Sequence, residues 1–181
     1  MRFILTPHCT TDWNVGKKMQ GSRDIGLNDE GRREAAELGK RVQHDFPDIT
    51  IIVTSPLIRA RETAEIINRA FNVPLKTDEY LRECSFGAFE GLTREQVAQR
   101  YGSAIEFNYT DYDFSRFGGE SRAQVLTRHR EFFEDFVTRY PDERPLIVGH
   151  RRGLNTLLFA LGLGDDDTVL TRTQWCVVEY P

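Results

Sequence analysis

Short apolar runs alternate along this chain with longer stretches in which apolar residues recur at spacings of three and four. Arg2 to Thr6, Ile49 to Ser55, Pro145 to Gly149 and Trp175 to Tyr180 read as buried strands, because each is an aliphatic run of strand length. Asp29 to Phe46 places Ala35, Leu38, Val42 and Phe46 on one helical stripe, with Asn28 as cap and Asp29 and Glu30 in the first turn. Ser55 is expected to cap, and Pro56 to open, a second helix whose inner stripe is Ala60, Ala64, Ile67 and Phe71. Thr93 with Gln96 and Ser121 with Gln124 form two capping boxes. The second opens the longest helix, which runs to about Tyr140 and buries Val125, Phe132, Phe136 and Val137.

Strands alternating with helices predict an α/β fold, a three-layer sandwich with a mostly parallel central sheet. No repeat, low-complexity segment or linker divides residues 1–181, so a single domain is expected. The stretch from Gly102 to Gly119, rich in Asp, Tyr, Phe and Gly, lacks periodicity and reads as an insert near the active site.

Composition narrows the function classes. The net charge is −4 with Lys and Arg dispersed, which gives no basic face for nucleic acid. No apolar run approaches a membrane span, and the opening MRFILTPHC is too short in apolar residues for a signal peptide. Cys9, Cys84 and Cys176 have neither disulfide nor metal-ligand spacing, so they read as free thiols of a cytoplasmic protein. With no cysteine pair and no carboxylate and histidine cluster, neither a metal nor another cofactor is expected. Oligomeric state is unassigned.

Ligands of a doubly wound sheet bind beyond the carboxyl ends of its strands. His8 follows the first predicted strand, Arg59 follows the second by way of Ser55, and His150 follows the Leu146 to Val148 run. His44 and His129 lie on predicted helices away from strand ends and receive no role.

The ordered segments LTPHCTTDWN, QGSRDIGLNDEG, TSPLIRARETA, LRECSFGAFEG, GGES and IVGHRRG resemble the motif series of the histidine phosphatase (phosphoglycerate mutase-like) superfamily over nearly the whole chain. The resemblance implies that His8 attacks phosphorus to form a phosphohistidine and that His150, as an imidazolium, helps to hold the phosphoryl oxygens. Glu83 would act as general acid and then base, for which its pKa would have to rise. Arg59 and Asn14 would contact the phosphate.

The chain departs from the family pattern at its first motif. Pro7-His8-Cys9 stands where the family has Arg-His-Gly, and Pro7 supplies neither a guanidinium nor an N–H. Arg151 or Arg152 is expected to bring the missing charge from the opposite wall. Cys9 is either a packed small residue or a thiol activated by His150 and Arg59, packing being favoured. Phe107, Tyr109, Tyr112 and Phe114 could face an apolar part of the substrate or form the insert's own core. Specificity is expected from that insert and from Lys17 to Arg23. The resemblance implies hydrolysis of a small phosphorylated metabolite. Phosphoglycerate mutase-type transfer and phosphate binding without turnover, the latter because of Pro7, stand as alternatives.

Overall fold

The computed structural model describes residues 1–102, 105, 107, 111–163 and 170–180. In chain order its elements are β1 (Arg2–Pro7), α1 (Asp12–Val15), α2 (Asp29–Asp45), β2 (Ile51–Thr54), α3 (Ile58–Phe71) and β3 (Leu75–Thr77). They continue with α4 (Arg94–Tyr101), α5 (Arg122–Arg139), β4 (Pro145–Gly149), α6 (Arg151–Ala160) and β5 (Cys176–Glu179). The strands lie in the order β3-β2-β4-β1-β5, with β5 antiparallel to β1 and the other pairings parallel.

The inner strands β1, β2 and β4 are buried on both faces, as their unbroken apolar runs require. Successive side chains then point to opposite layers. Phe3, Leu5, Ile51, Val53 and Ile147 pack with Phe132, Phe133 and Phe136 of α5 and Leu154, Leu157 and Leu158 of α6. Ile4, Ile52, Leu146 and Val148 meet Ala35, Leu38 and Val42 of α2 and Ala60, Ala64 and Ile67 of α3 on the other side. Each large side chain so buried contributes roughly 2 kcal/mol. The helices α2 and α3 cross closely, since a Cβ on Gly39 would lie 3.1 Å from the Ile67 backbone. These two layers and the sheet between them are the expected sandwich.

Both capping boxes form, at Thr93 and at Ser121, and Asn28 caps α2. The expectation for Ser55 and Pro56 is overturned. Leu57 occupies the N-cap of α3 without a side-chain bond, and the helix begins at Ile58. Ser55 is turned instead toward His150, a partner that only the fold supplies. Three elements carried no clear pattern in the sequence: β3 is a three-residue edge strand, α1 is a single turn, and α6 begins inside the last motif.

A third cluster lies beside the sandwich and contains Cys84, Phe89, Val97, Tyr112, Phe114 and Val125, with Phe107 packed against it. Of the four insert aromatics, Phe107, Tyr112 and Phe114 therefore serve a local core, while Tyr109 lies outside the described residues. No described helix is long and apolar enough to cross a membrane.

Candidate active site

Beyond the carboxyl ends of β1 and β4 opens a cleft of about 180 Å³. It is lined by Pro7, His8, Asn14, Arg59, Glu83 and Arg151, and also by Lys18, Met19, Gln20, Gly21, Phe86 and Arg172. Five of the six predicted site residues thus meet there, and the sixth, His150, stands just behind His8, its ring centroid 5.3 Å away and tilted by 59°.

His8 extends the β1–β4 pairing by one bond, its N–H donating to the Gly149 carbonyl at 2.9 Å. Its Nδ1 donates to the Cys9 carbonyl at 2.7 Å. A carbonyl can only accept, so in the neutral ring Nε2 keeps its lone pair. Burial, followed by the Arg59 charge, lowers the His8 pKa to about 3, and the ring is neutral across the physiological range. Neutrality and a fixed tautomer are what a nitrogen nucleophile needs.

His150 occupies the N-cap of α6, and its Nε2 lies 2.7 Å from the Ser55 hydroxyl. Burial, Arg59 and His8 hold its pKa well below the usual value. Burial thus works against the imidazolium expected from the sequence. A dianion entering beside the ring would supply the field that favours its protonation.

Glu83 is 8% exposed. Its Oε1 accepts from the N–H groups of Cys84 at 2.9 Å and Gly153 at 3.0 Å, and its Oε2 from Arg152 N–H at 3.4 Å. The first turn of α6 thus holds the carboxylate at the helix N-terminus, where the macrodipole favours an anion. Gly153 lets His129 pack close to this turn, since a Cβ there would meet His129 Nε2 at 3.1 Å.

Arg59 is fully buried and donates to the carbonyls of Gly21 at 2.7 Å and Arg23 at 2.6 Å. Burial pulls its pKa down to about 10, so it stays cationic at neutral pH. Two of its donors thus shape the cleft rim, while its buried Nε has no partner among the described residues. Asn14 accepts from Thr11 N–H at 3.0 Å and from its hydroxyl at 3.1 Å through Oδ1, so its NH₂ is the half of the amide suited to an anion.

The neighbours Arg151 and Arg152 diverge. Arg151 lines the cleft, whereas the Arg152 guanidinium lies 4.3 Å from the Tyr112 ring and 5.7 Å from that of Phe114, with a bond to the Phe107 carbonyl. Arg152 belongs to the third cluster, and its proposed place at the phosphate is withdrawn. Cys9 is fully buried, its N–H bonded to Thr63, and burial raises its thiol pKa to about 12. It is a packed residue.

Sequence reasoning missed Ser55 as the partner of His150, and Phe86 and Arg172 as cleft walls. The segment Lys17 to Arg23 was anticipated as a pocket border, but Arg172 lies in a loop with no motif to single it out. His129, given no role, proves fully buried behind Gly153, its Nδ1 bonded to the Val125 carbonyl and its Nε2 without a partner among the described residues.

A fixed neutral histidine, a second histidine behind it, a carboxylate on a helix N-terminus and four cations around one small cleft define a phosphate-ester enzyme of the α/β class. The family model of the histidine phosphatase superfamily (branch 1) matches residues 3–180, and the chain belongs to that superfamily. It is 36% identical over 168 residues to the uncharacterized phosphatase PhoE of Bacillus subtilis, covering 93% of this chain and 81% of that protein. It is 32% identical to a glucosyl-3-phosphoglycerate phosphatase of Mycobacterium tuberculosis, covering 88% of this chain and 74% of that one. The solved structure of Bacillus stearothermophilus YhfR superposes with a TM-score of 0.87 at 32% identity, covering 99% of this chain and 91% of that one.

Proposed function

We propose that this chain hydrolyses the phosphate monoester of a small metabolite through a phosphohistidine on His8. The observation that carries the reading is the Nδ1 to Cys9 carbonyl bond, which leaves a neutral Nε2 at the cleft. In the first step, which Glu83 enters in its acid form, Nε2 forms a bond to phosphorus, the P–O ester bond breaks and the leaving oxygen takes the Glu83 proton. In the second, water attacks the phosphohistidine while Glu83 takes a proton back, and free phosphate and neutral His8 result. Arg59 and Arg151 neutralise the phosphoryl oxygens, Asn14 helps to orient them, and His150 joins them once the field of the bound dianion has favoured its uptake of a proton from solvent.

A second cleft of about 340 Å³ adjoins the first and shares Asn14, Lys18 and Met19 with it. Trp13, Lys17 and Arg94 complete its wall, with Glu95 as the one carboxylate. This supports a substrate whose leaving portion is polar or anionic and carries a ring, in keeping with the sugar acid phosphate named for the mycobacterial relative. The segment 102–119 contributes indirectly, because its aromatic cluster anchors Arg152 and Phe86 beside Glu83. The reading places residues 1–181 in one domain, supported by the family match over 3–180, and in the cytoplasm, supported by three free cysteines.

The test is phosphate release from a panel of phosphomonoesters by wild type and His8→Ala. Turnover that falls at least about a thousandfold in the variant, with an acid-labile phosphoryl group trapped on His8, is the expected result. Phosphoryl exchange without phosphate release would indicate mutase chemistry, and phosphate binding without turnover would indicate a binding protein.

A further inference from the structure

We propose that Arg172 binds the phosphoryl group and replaces, from the far end of the chain, the cation that Pro7 does not supply. The inference rests on the reading of the His8 cleft as a phosphate site. Topology carries it first. Because β5 runs antiparallel to β1 with Cys176 opposite Leu5, the turn preceding β5 lies at the carboxyl end of β1, where Pro7 and His8 emerge. Arg172 sits in that turn and lines the same cleft as His8 and Pro7.

The turn is held in place from several sides. Gln174 N–H donates to the Thr171 carbonyl at 3.3 Å, and the buried Thr6 hydroxyl of β1 donates to the Gln174 carbonyl at 2.8 Å. Arg41 of α2 stacks 4.7 Å over the Trp175 ring and bonds the Thr173 carbonyl at 3.4 Å. Thr173 adopts φ +62°, a left-handed conformation that is costly for a β-branched residue and persists only where the surroundings impose it. A turn built this way fixes the backbone from which Arg172 reaches the cleft.

Two of the other cleft cations, Arg59 and Lys18, are partly engaged elsewhere. Arg59 spends two donors on the Gly21 and Arg23 carbonyls, and Lys18 stands 5.9 Å over the Trp13 ring. Among the described residues no hydrogen bond or ion pair engages the Arg172 guanidinium, which is solvent-exposed and keeps its planar fork for a ligand. After burial and Arg59, its charge is a further, smaller influence that disfavours protonation of His8.

The experiment measures binding of inorganic phosphate by calorimetry, and hydrolysis of an aryl phosphate, for wild type, Arg172→Ala, Arg172→Lys and the double variant Pro7→Arg with Arg172→Ala. Arg172→Ala should weaken phosphate binding at least tenfold and lower kcat/KM on the order of a hundredfold. Lysine should restore part of the loss, and Pro7→Arg should restore more of it. In wild type, phosphate should also protect Arg172 from phenylglyoxal, read by mass spectrometry, so the test does not depend on any variant folding. An Arg172→Ala protein that keeps both parameters within twofold, or an Arg172 modified equally fast with and without phosphate, overturns the proposal while the phosphatase reading stands. If wild type neither hydrolyses the ester nor binds phosphate, both fail together.

Discussion

The floor and the walls of the cleft are built differently. The floor consists of His8 and His150 on the ends of β1 and β4, fixed by main-chain bonds and by Ser55 at the end of β2. The walls come from loops: the 21–23 turn gripped by Arg59, the α6 start that grips Glu83, and the turn that carries Arg172. A strand end positions one side chain rigidly and admits little variation. A loop wall can deliver charge from another part of the chain, which is the route proposed for Arg172 in compensating for Pro7.

The sharpest way to break the walls is at Glu83. Glu83→Gln keeps shape but removes the proton carrier, so kcat should fall roughly a hundred- to ten-thousandfold with KM little changed, measured by steady-state kinetics. Poorer activity through KM alone would show that Glu83 only binds.

The floor should be the acid-sensitive region. His8 and His129 have folded pKa values lowered to about 3 from an ordinary value of 6.5, and that of His150 is also lowered. The unfolded chain therefore binds more protons throughout that window. The stabilisation is fully present above pH 6.5 and drains as pH falls toward 3. Each histidine removes about 1.4 kcal/mol per pH unit within it, so His8 and His129 together cost on the order of 4 kcal/mol at pH 5. Denaturant melts at pH 7.5 and 5, followed by circular dichroism, should show this loss. His129→Leu, at a position outside the cleft lining and against Gly153, should reduce the pH slope by about one proton.

Arg59 joins floor and walls, so Arg59→Met should damage both. Stranding the Gly21 and Arg23 carbonyls should cost about 3 kcal/mol of stability, read as a lower Tm, together with weaker phosphate binding. Ser55→Ala should have the smallest effect, about 1 kcal/mol, seen as a roughly fivefold drop in kcat from a less well oriented His150. A larger loss than in Arg59→Met would reverse the ranking of floor and wall.

Much of this protein could be read without coordinates. The apolar runs of β1, β2 and β4, the stripes of α2 and α3 and both capping boxes follow from local periodicity and short-range hydrogen bonding, and these are written into neighbouring residues. His8, Glu83, Arg59, Asn14, His150 and Arg151 were legible because their motifs and strand ends place them, although periodicity alone assigns none of them chemistry. The sequence by itself therefore determined the sandwich and the floor of the cleft. Tertiary structure alone decided that Ser55 serves His150 and not a helix cap, that Arg152 turns into an aromatic cluster while Arg151 faces the cleft, and that Arg172 arrives beside Pro7. Those outcomes depend on contacts between residues far apart in the chain, whose direction is set by sheet order and by the antiparallel return of β5, and no local pattern encodes them.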